Sequence, residues 1–178
     1  MLARLSAQAT ARAMAQSART DNASTFVQSE LFARTFREGM ALVEETANYL
    51  DGAGRDASRG LARSAALVYA GSSMRLTTQL MQIASWLLVM RAVREGEMSV
   101  AEAGEPKYRL KEKETVLGDL REAGLPENLI RLVETSAQLY ARIVRLDREL
   151  FAEAESAVEK LDAAAQQQAL AEAFFRGK

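Results

Sequence analysis

Three stretches of the chain repeat apolar residues at the three- and four-residue spacing of an α-helix, namely residues 25–50, 57–95 and 127–151. Both prolines and several glycines lie in the segments between these stretches, where they favour turns. The pattern predicts an all-α fold, an antiparallel three-helix bundle with a long central helix, a loose connection between the second and third helices, and mobile termini.

The central helix is predicted to be apolar on two sides. Its first stripe is Leu61, Ala65, Val68, Ser72, Leu76, Leu80, Ile83, Leu87 and Met90, and its second is Leu67, Gly71, Met74, Thr78, Met81, Ser85, Leu88 and Ala92. Both stripes alternate steps of four and three, which is the spacing of a bundle seam. A surface helix needs only one such stripe, so we expect the central helix to be buried on two sides.

The first two helices are predicted to meet at a turn formed by Gly52, Gly54 and Arg55. A glycine after the last helical turn can adopt a left-handed conformation without a steric penalty. Asp56 or Ser58 is then expected to cap the second helix, and a connection this short makes the two helices antiparallel neighbours. Gly-Ala-Gly also resembles part of a phosphate-binding loop, but it follows a helix rather than a strand, which favours the turn.

Antiparallel pairing across that turn predicts a close helix crossing. Residue numbers in contact would sum to about 107, which places Gly39 opposite Val68 and one turn from Gly71. A glycine inside a helix costs about 1 kcal/mol relative to alanine, and close backbone approach would explain why both are present.

One charge interrupts the apolar part of the central helix. Arg75 lies between Met74 and Leu76, and a buried arginine generally needs an acidic partner. If the third helix runs antiparallel to the second, Asp147 comes level with it. We therefore predict a buried Arg75–Asp147 ion pair.

The end of the central helix carries bulky apolar residues that the first helix is too short to cover. They are Met81, Trp86, Val89, Met90 and Val93. The third helix, the segment 96–126 or a second subunit must cover them, and methionine and tryptophan are typical of partner-binding surfaces. The sequence leaves two interpretations open, a partner or dimer surface and ordinary core.

We expect three parts along the chain: a mobile N-terminal arm over residues 1–24, the bundle over 25–151, and a flexible or partly helical tail over 152–178. The arm is basic and rich in Ala and Ser, a composition that resembles an organellar transit peptide, but we favour a poorly ordered bacterial leader arm. In the connection, Ser99 and Glu102 match a capping box for a short helix. The longest uncharged run, residues 76–90, is too short to span a membrane.

The amino-acid composition excludes several classes of function. The chain has neither Cys nor His, which excludes Ser-His-Asp and Cys-His catalysis and histidine-ligated metals. Carboxylate-only chemistry would need acids that converge in a pocket, and no such group occurs at helical spacing. A net charge of −1 gives no sign of nucleic-acid binding. We expect no enzyme activity, no cofactor and no metal site.

Several blocks resemble the regulator of CtrA degradation (RcdA) family of bacterial cell-cycle proteins. They are EGMALVEETANYLDGAGR at residues 38–55, SMRLTTQLMQIASWLL at 73–88, RAV at 91–93, EGEM at 95–98 and LYARIVRLD at 139–147. The resemblance covers residues 32–98 and 126–150. The arm, the segment 99–125 and the tail match weakly.

The resemblance implies a cytoplasmic bacterial adaptor without catalytic activity that acts as a homodimer. Members of the family help deliver cargo such as CtrA to the ClpXP protease, together with the response-regulator adaptor CpdR and the cyclic-di-GMP effector PopA. A mobile C-terminal tail is associated with this role, which here implies residues 152–178 with Phe174 and Phe175 near the end. A dimeric helical scaffold with no direct role in proteolysis is the alternative.

Overall fold

A computed structural model of the chain describes residues 21–110 and 120–151. Its helices are α1 over residues 21–28, α2 (Glu30–Asp51), α3 (Ala53–Arg59), α4 (Arg63–Glu95), α5 (Val100–Ala103) and α6 (Glu127–Phe151). The three long helices α2, α4 and α6 pack on one another. This confirms the predicted all-α bundle with a long central helix.

The first long helix, α2, begins at Glu30, which is later than predicted. A separate short helix, α1, precedes it and includes residues before the predicted start of the bundle. Ser29 separates α1 from α2. It also caps α2, because its hydroxyl accepts a hydrogen bond from the Phe32 amide at 3.2 Å. Residues 21–24, which we assigned to the arm, belong to α1, and Ala23 is buried. The predicted boundary at residue 24 therefore falls inside a helix that packs on the bundle.

The predicted interhelical turn is wrong in detail, because only Gly52 separates the helices there. Gly54 and Arg55 lie within α3, and Gly52 has a φ of −109° rather than a left-handed conformation. Gly54 is buried against Tyr49 and Tyr69, so closely that a Cβ would lie 2.7 Å from the Tyr69 hydroxyl. An Arg55–Asp51 ion pair supports the extra helical turns.

The chain reverses at Gly60, and α4 then begins at Arg63. The residue before it, Ala62, offers no side-chain cap, so the predicted cap by Asp56 or Ser58 is wrong. At the other end, Gly96 closes α4 with a left-handed φ of +77°. The capping box of Ser99 and Glu102 is confirmed at the start of α5.

The inserted α3 also shifts the pairing of α2 with α4, so the predicted crossing of Gly39 with Val68 and Gly71 is wrong. A Cβ on Gly39 would overlap Leu87 Cδ1 and contact Ile83, which makes contacting residue numbers sum to about 122–126 rather than 107. Gly39 does allow a close helix approach, but with a different part of α4.

The direction of the third helix differs from the prediction. Trp86 bonds to Asp147, and Gln79 bonds to Ser136, so residue numbers rise together along α4 and α6. These two helices are therefore parallel, whereas α2 is antiparallel to α6, as the Glu45–Arg131 pair and a second pair between Glu38 and Arg142 show. The 31 residues between Glu95 and Glu127 are long enough to return along the bundle, since an extended residue spans about 3.3 Å.

Candidate interaction surface

The outward side of α4 is an exposed apolar stripe. Leu67, Met74, Met81 and Leu88 are 70%, 71%, 65% and 49% exposed, and each lies seven residues from the next. We call these four residues the outer stripe. They belong to the second stripe of the sequence pattern, whereas the first stripe faces the bundle, where Leu76, Leu80, Ile83 and Leu87 are buried.

The outer stripe lies on a helix face with almost no charge. From residue 64 to residue 90 of α4 the only charged side chain is Arg75. Four small residues alternate with the large ones: Gly71, Thr78, Ser85 and Ala92. A solvated helix normally presents charged and polar residues on this side, and an exposed apolar row rimmed by polar groups is typical of a protein interaction site.

The predicted Arg75–Asp147 ion pair is wrong. Arg75 is exposed on the outward side of α4, and its guanidinium donates a hydrogen bond to Ser72 Oγ at 3.3 Å. Asp147 is buried on the opposite side of α4, against Trp86. The prediction assumed an antiparallel third helix, and the parallel direction of α6 brings Asp147 to Trp86 instead.

The structure divides the predicted partner surface of Met81, Trp86, Val89, Met90 and Val93. Trp86 and Met90 are 1% exposed and belong to the core, and Val89 and Val93 are half-buried against it. Met81 alone is exposed. The sequence did not show which element covers these residues. Part of the cover is α1, because the centre of its Phe26 ring lies 6.2 Å from that of the Trp86 ring.

A buried polar junction joins α4, α6 and the connecting segment. Asp147, which is 2% exposed, accepts hydrogen bonds from Trp86 Nε1 and from Arg109 Nε, both at 2.8 Å. The Arg109 guanidinium also lies 4.9 Å from the centre of the Phe151 ring. The contact fixes the segment before residue 110 to the end of α6.

Burial controls the protonation of this junction more strongly than the ion pair does. Desolvation raises the pKa of Asp147, although the hydrogen bonds from Arg109 and Trp86 and the Arg109 charge oppose that rise. In the sequence, an acid among the apolar residues of α6 indicates that it has a buried partner. Its partner Arg109 was missed, because Arg109 lies in the connection, where no helical spacing constrains its position.

The flank of α2 next to α4 continues the apolar surface. Phe36, Met40 and Val43 line an open groove of about 460 Å³ together with Arg37, Ala41 and Glu44. Arg91 of α4 lies 5.7 Å from the centre of the Phe36 ring. Because Arg91 is one turn beyond Leu88, the groove adjoins that end of the outer stripe.

Other predicted features give no site in the described part of the chain. Phe174 and Phe175, the predicted tail contacts, lie outside the described residues. Within residues 21–110 and 120–151, no group of three or more acidic residues could hold a metal ion. Over the same residues, none of the helices combines the length and the hydropathy needed to cross a bilayer.

An all-α bundle with an exposed and mostly apolar helix face is typical of helical protein-interaction proteins. Similarity to known proteins defines its family. The family described as "Protein of unknown function (DUF1465)" matches residues 23–174. The chain is also similar to the crystal structure of RcdA from Caulobacter crescentus CB15, at 54% identity and a TM-score of 0.60, over 70% of this chain and 94% of that one. No curated protein matches. The chain belongs to the RcdA family.

Proposed function

We propose that the chain is a non-enzymatic adaptor that works as a homodimer. It helps deliver cell-cycle regulators of the CtrA type to the ClpXP protease in the bacterial cytoplasm, with CpdR and PopA as further partners. Membership of the RcdA family supports the pathway. The observation that carries the adaptor class is the outer stripe of α4, because this exposed and nearly uncharged face suits binding to protein.

The chemistry of the described residues agrees with a binding function. The chain has no Cys or His, and Asp147, the most deeply buried acid among the described residues, accepts hydrogen bonds from Arg109 and Trp86. An adaptor accelerates a reaction by raising the local concentration of cargo near the protease. That role requires surfaces and a tether, for which we propose residues 152–178 with Phe174 and Phe175, and it requires no nucleophile.

Reconstituted degradation tests this function. ClpXP, CpdR, PopA with cyclic-di-GMP and CtrA are combined with the full chain, and CtrA loss is followed over time. We expect faster degradation with the full chain, and the rate of the adaptor-free mixture with a chain that ends at Phe151. Met74→Glu tests the outer stripe, with Ala141→Glu on the exposed side of α6 as the matched control.

The alternative, a dimeric scaffold without a direct role in proteolysis, gives a different result. The dimer would form, but CtrA would be degraded at the same rate with and without the full chain. That outcome, with every partner present and active, would overturn the adaptor function. It would not contradict a role of the outer stripe in binding protein.

A further inference from the structure

We propose that residues 172–176 of the chain dock into the open groove on α2 of the same molecule. This segment, Glu-Ala-Phe-Phe-Arg, carries two adjacent aromatic side chains between an acid and a base, and it lies outside the described residues. The docking itself does not depend on the adaptor role. Its consequence, that the tail is held away from the protease, rests on the proposed function.

The groove is apolar along its middle and charged towards its two ends. Phe36, Met40 and Val43 line it and are half-buried, whereas Arg37 near one end and Glu44 at the other are exposed. The lining covers eight residues of α2, or about 12 Å, around a volume of about 460 Å³. An apolar concave surface with a few charged groups at its edge is typical of a binding site.

The segment 172–176 carries complementary charges in the same order as the groove. Glu172 precedes the aromatic pair and Arg176 follows it, so a segment parallel to α2 brings an acid to Arg37 and a base to Glu44. Arg37 and Glu44 are about 10 Å apart along the helix, and four extended residues span about 13 Å. Both ion pairs can therefore form while the two aromatic rings lie over the apolar middle of the groove.

The two charged residues of the groove are available for these contacts. Within residues 21–110 and 120–151, Glu44 forms no ion pair. Arg37 pairs with Glu30 at 3.0 Å, but the two side chains are 70% and 75% exposed. Because exposed pairs contribute little to stability, Glu172 can replace Glu30 at small cost.

The end of α6 lies level with the correct end of the groove. The two ion pairs between α2 and α6 make level residue numbers sum to 176 and 180, which places Phe151 level with residues 25–29. The Arg37 end of the groove is about 15 Å further along the bundle. The chain from Phe151 to Glu172 can span up to about 70 Å, so it reaches the Arg37 end first, as the parallel direction requires.

The aromatic pair favours an occupant from the same chain over a separate protein. The chain has six phenylalanines, and the four in the described residues all pack in or against the core: Phe26, Phe32, Phe36 and Phe151. Two more buried rings would cover about 300–500 Å², which is less than the 800 Å² or so that each partner of a stable complex buries. A covalently joined segment has an effective concentration of about 1 mM or more, so this small contact suffices within one chain.

Disulfide trapping tests the docking in the full chain, which has no cysteine of its own. The variant Ala41→Cys/Ala173→Cys places one cysteine in the lining of the groove and one beside the aromatic pair. The control, Ala141→Cys/Ala173→Cys, uses an exposed alanine of α6. Ala141 is ten residues, or about 15 Å, from Phe151, which is closer along the bundle than Ala41, so random collision would favour the control.

Under mild oxidation we expect the groove pair to lose its free thiols at least about tenfold faster than the control. Full burial of one phenylalanine changes an equilibrium constant by about tenfold or more, and a disulfide forms only when the Cα atoms approach within about 7 Å. Maleimide labelling of the remaining thiols measures both rates. A groove pair that closes no faster than the control would overturn the docking.

Further substitutions in the groove pair test the individual contacts. Phe174→Ala/Phe175→Ala should slow disulfide formation to the rate of the control, and an unchanged rate would contradict the role of the aromatic pair. Glu44→Arg should slow it by about two- to fivefold, as expected for an exposed ion pair. Adding Arg176→Glu to Glu44→Arg should restore the rate, and a failure to restore it would overturn the parallel direction.

The size of the product identifies the occupant of the groove. A disulfide within one chain leaves the mass at 19.5 kDa while both thiols are blocked. A main product of twice that mass would mean that the groove holds the tail of a second copy, which overturns docking within the same chain.

Degradation assays separate the docking from the proposed function. Glu44→Arg weakens the docking without changing the tail, so it should accelerate CtrA degradation by up to about two- to fivefold, and an unchanged rate would contradict the regulatory consequence. A chain that accelerates degradation but shows no preference for the groove overturns the docking alone. A docked tail in a chain without any effect on degradation supports the docking and contradicts the adaptor function.

Discussion

The two faces of α4 have the same spacing of apolar residues and opposite environments. Ile83 and Leu87 on the inward face are fully buried, whereas Met74 and Met81 on the outward face are about 70% and 65% exposed. The inward face contacts α2 and α6 within one chain. The outward face exposes large apolar side chains at every seventh residue from Leu67 to Leu88.

The difference shows that packing among the described residues covers only the inward face of α4. In α2 and α6 the apolar residues lie on one side, so packing within the chain satisfies them. In α4 apolar residues surround the helix, which is typical of a helix buried on all sides. The outward face is therefore where association is expected, and the inward face is where fold stability is expected.

The largest expected effect concerns the junction on the inward side. Arg109→Met leaves the Asp147 carboxylate buried without its cation, and breaking a buried pair costs about 3–5 kcal/mol of unfolding free energy. Urea denaturation followed by Trp86 fluorescence measures it, since Trp86 is the single tryptophan and bonds to Asp147.

The matched control for this substitution is Arg55→Met. The Arg55–Asp51 pair is 2.7 Å long, close to the 2.8 Å of Arg109–Asp147, but its side chains are 59% and 83% exposed. Exposed pairs contribute about 0–1 kcal/mol. Equal losses in the two variants would show that burial does not set the strength of the junction.

The adjacent residues Leu87 and Leu88 compare the two faces of α4 with one chemical change. Leu87→Ala removes a fully buried side chain, which costs about 2–5 kcal/mol of unfolding free energy. Leu88→Ala removes a side chain that is about half exposed, so its effect on the isolated fold should stay within about 0.5 kcal/mol.

Protein concentration sharpens this comparison. If Leu88 acts through a second copy, the loss in Leu88→Ala grows as the protein concentration rises, because dimerisation stabilises the folded state by mass action. The loss in Leu87→Ala should not depend on concentration in the same way. Denaturation at several concentrations checks this, and a concentration-independent loss of several kcal/mol at Leu88 would contradict the assignment of the faces.

Two mid-helix glycines, Gly39 of α2 packed against the inward face of α4 and Gly71 on its outward face, give the next comparison. Gly39→Ala forces Leu87 to shift, because the new Cβ would overlap its Cδ1, and overpacking costs about 1–3 kcal/mol, which the helix propensity of alanine offsets by up to about 1 kcal/mol. Gly71→Ala meets only the Arg75 guanidinium, at 3.6 Å, so the isolated fold should gain up to about 1 kcal/mol of helix propensity. Thermal denaturation measures both, and a loss of monomer stability in Gly71→Ala would place that residue against the core instead.

The sequence alone predicted the three long helices and both stripes of α4, because helical spacing is a local property of the chain. It could not decide which stripe faces the bundle, since both stripes have the same helical spacing. Which stripe faces the bundle depends on where α2 and α6 pack against α4. Their position depends in turn on the seven-residue α3 between Gly52 and Gly60. Local spacing did not reveal α3, whose sequence Ala53–Arg59 contains only small and charged residues.

The direction of α6 and the junction at Asp147 share one cause. A short connection forces neighbouring helices to be antiparallel, but residues 96–126 are long enough to allow either direction. Once α6 runs parallel to α4, Asp147 meets Trp86 instead of Arg75. The partner Arg109 comes from the connection itself, where the sequence gives no periodicity from which to predict a contact.

The smallest expected effect is the pH dependence of the junction. The pKa of Asp147 is raised in the folded state, chiefly by burial, above its value of about 4 in the unfolded chain. Below pH 4 both states are protonated and Asp147 has no effect on stability. As the pH rises, the unfolded state loses its proton first, so this group lowers the unfolding free energy until the pH passes the folded pKa.

Comparison with Asp147→Asn isolates this effect from the other carboxylates. The difference in unfolding free energy, native minus variant, should fall as the pH rises from 4 towards 7. A difference that rises with pH at Asp147 would mean that the Arg109 charge outweighs burial. The inward face of α4 would then be held by a strongly favourable ion pair, and its contrast with the outward face would rest on charge as much as on apolar packing.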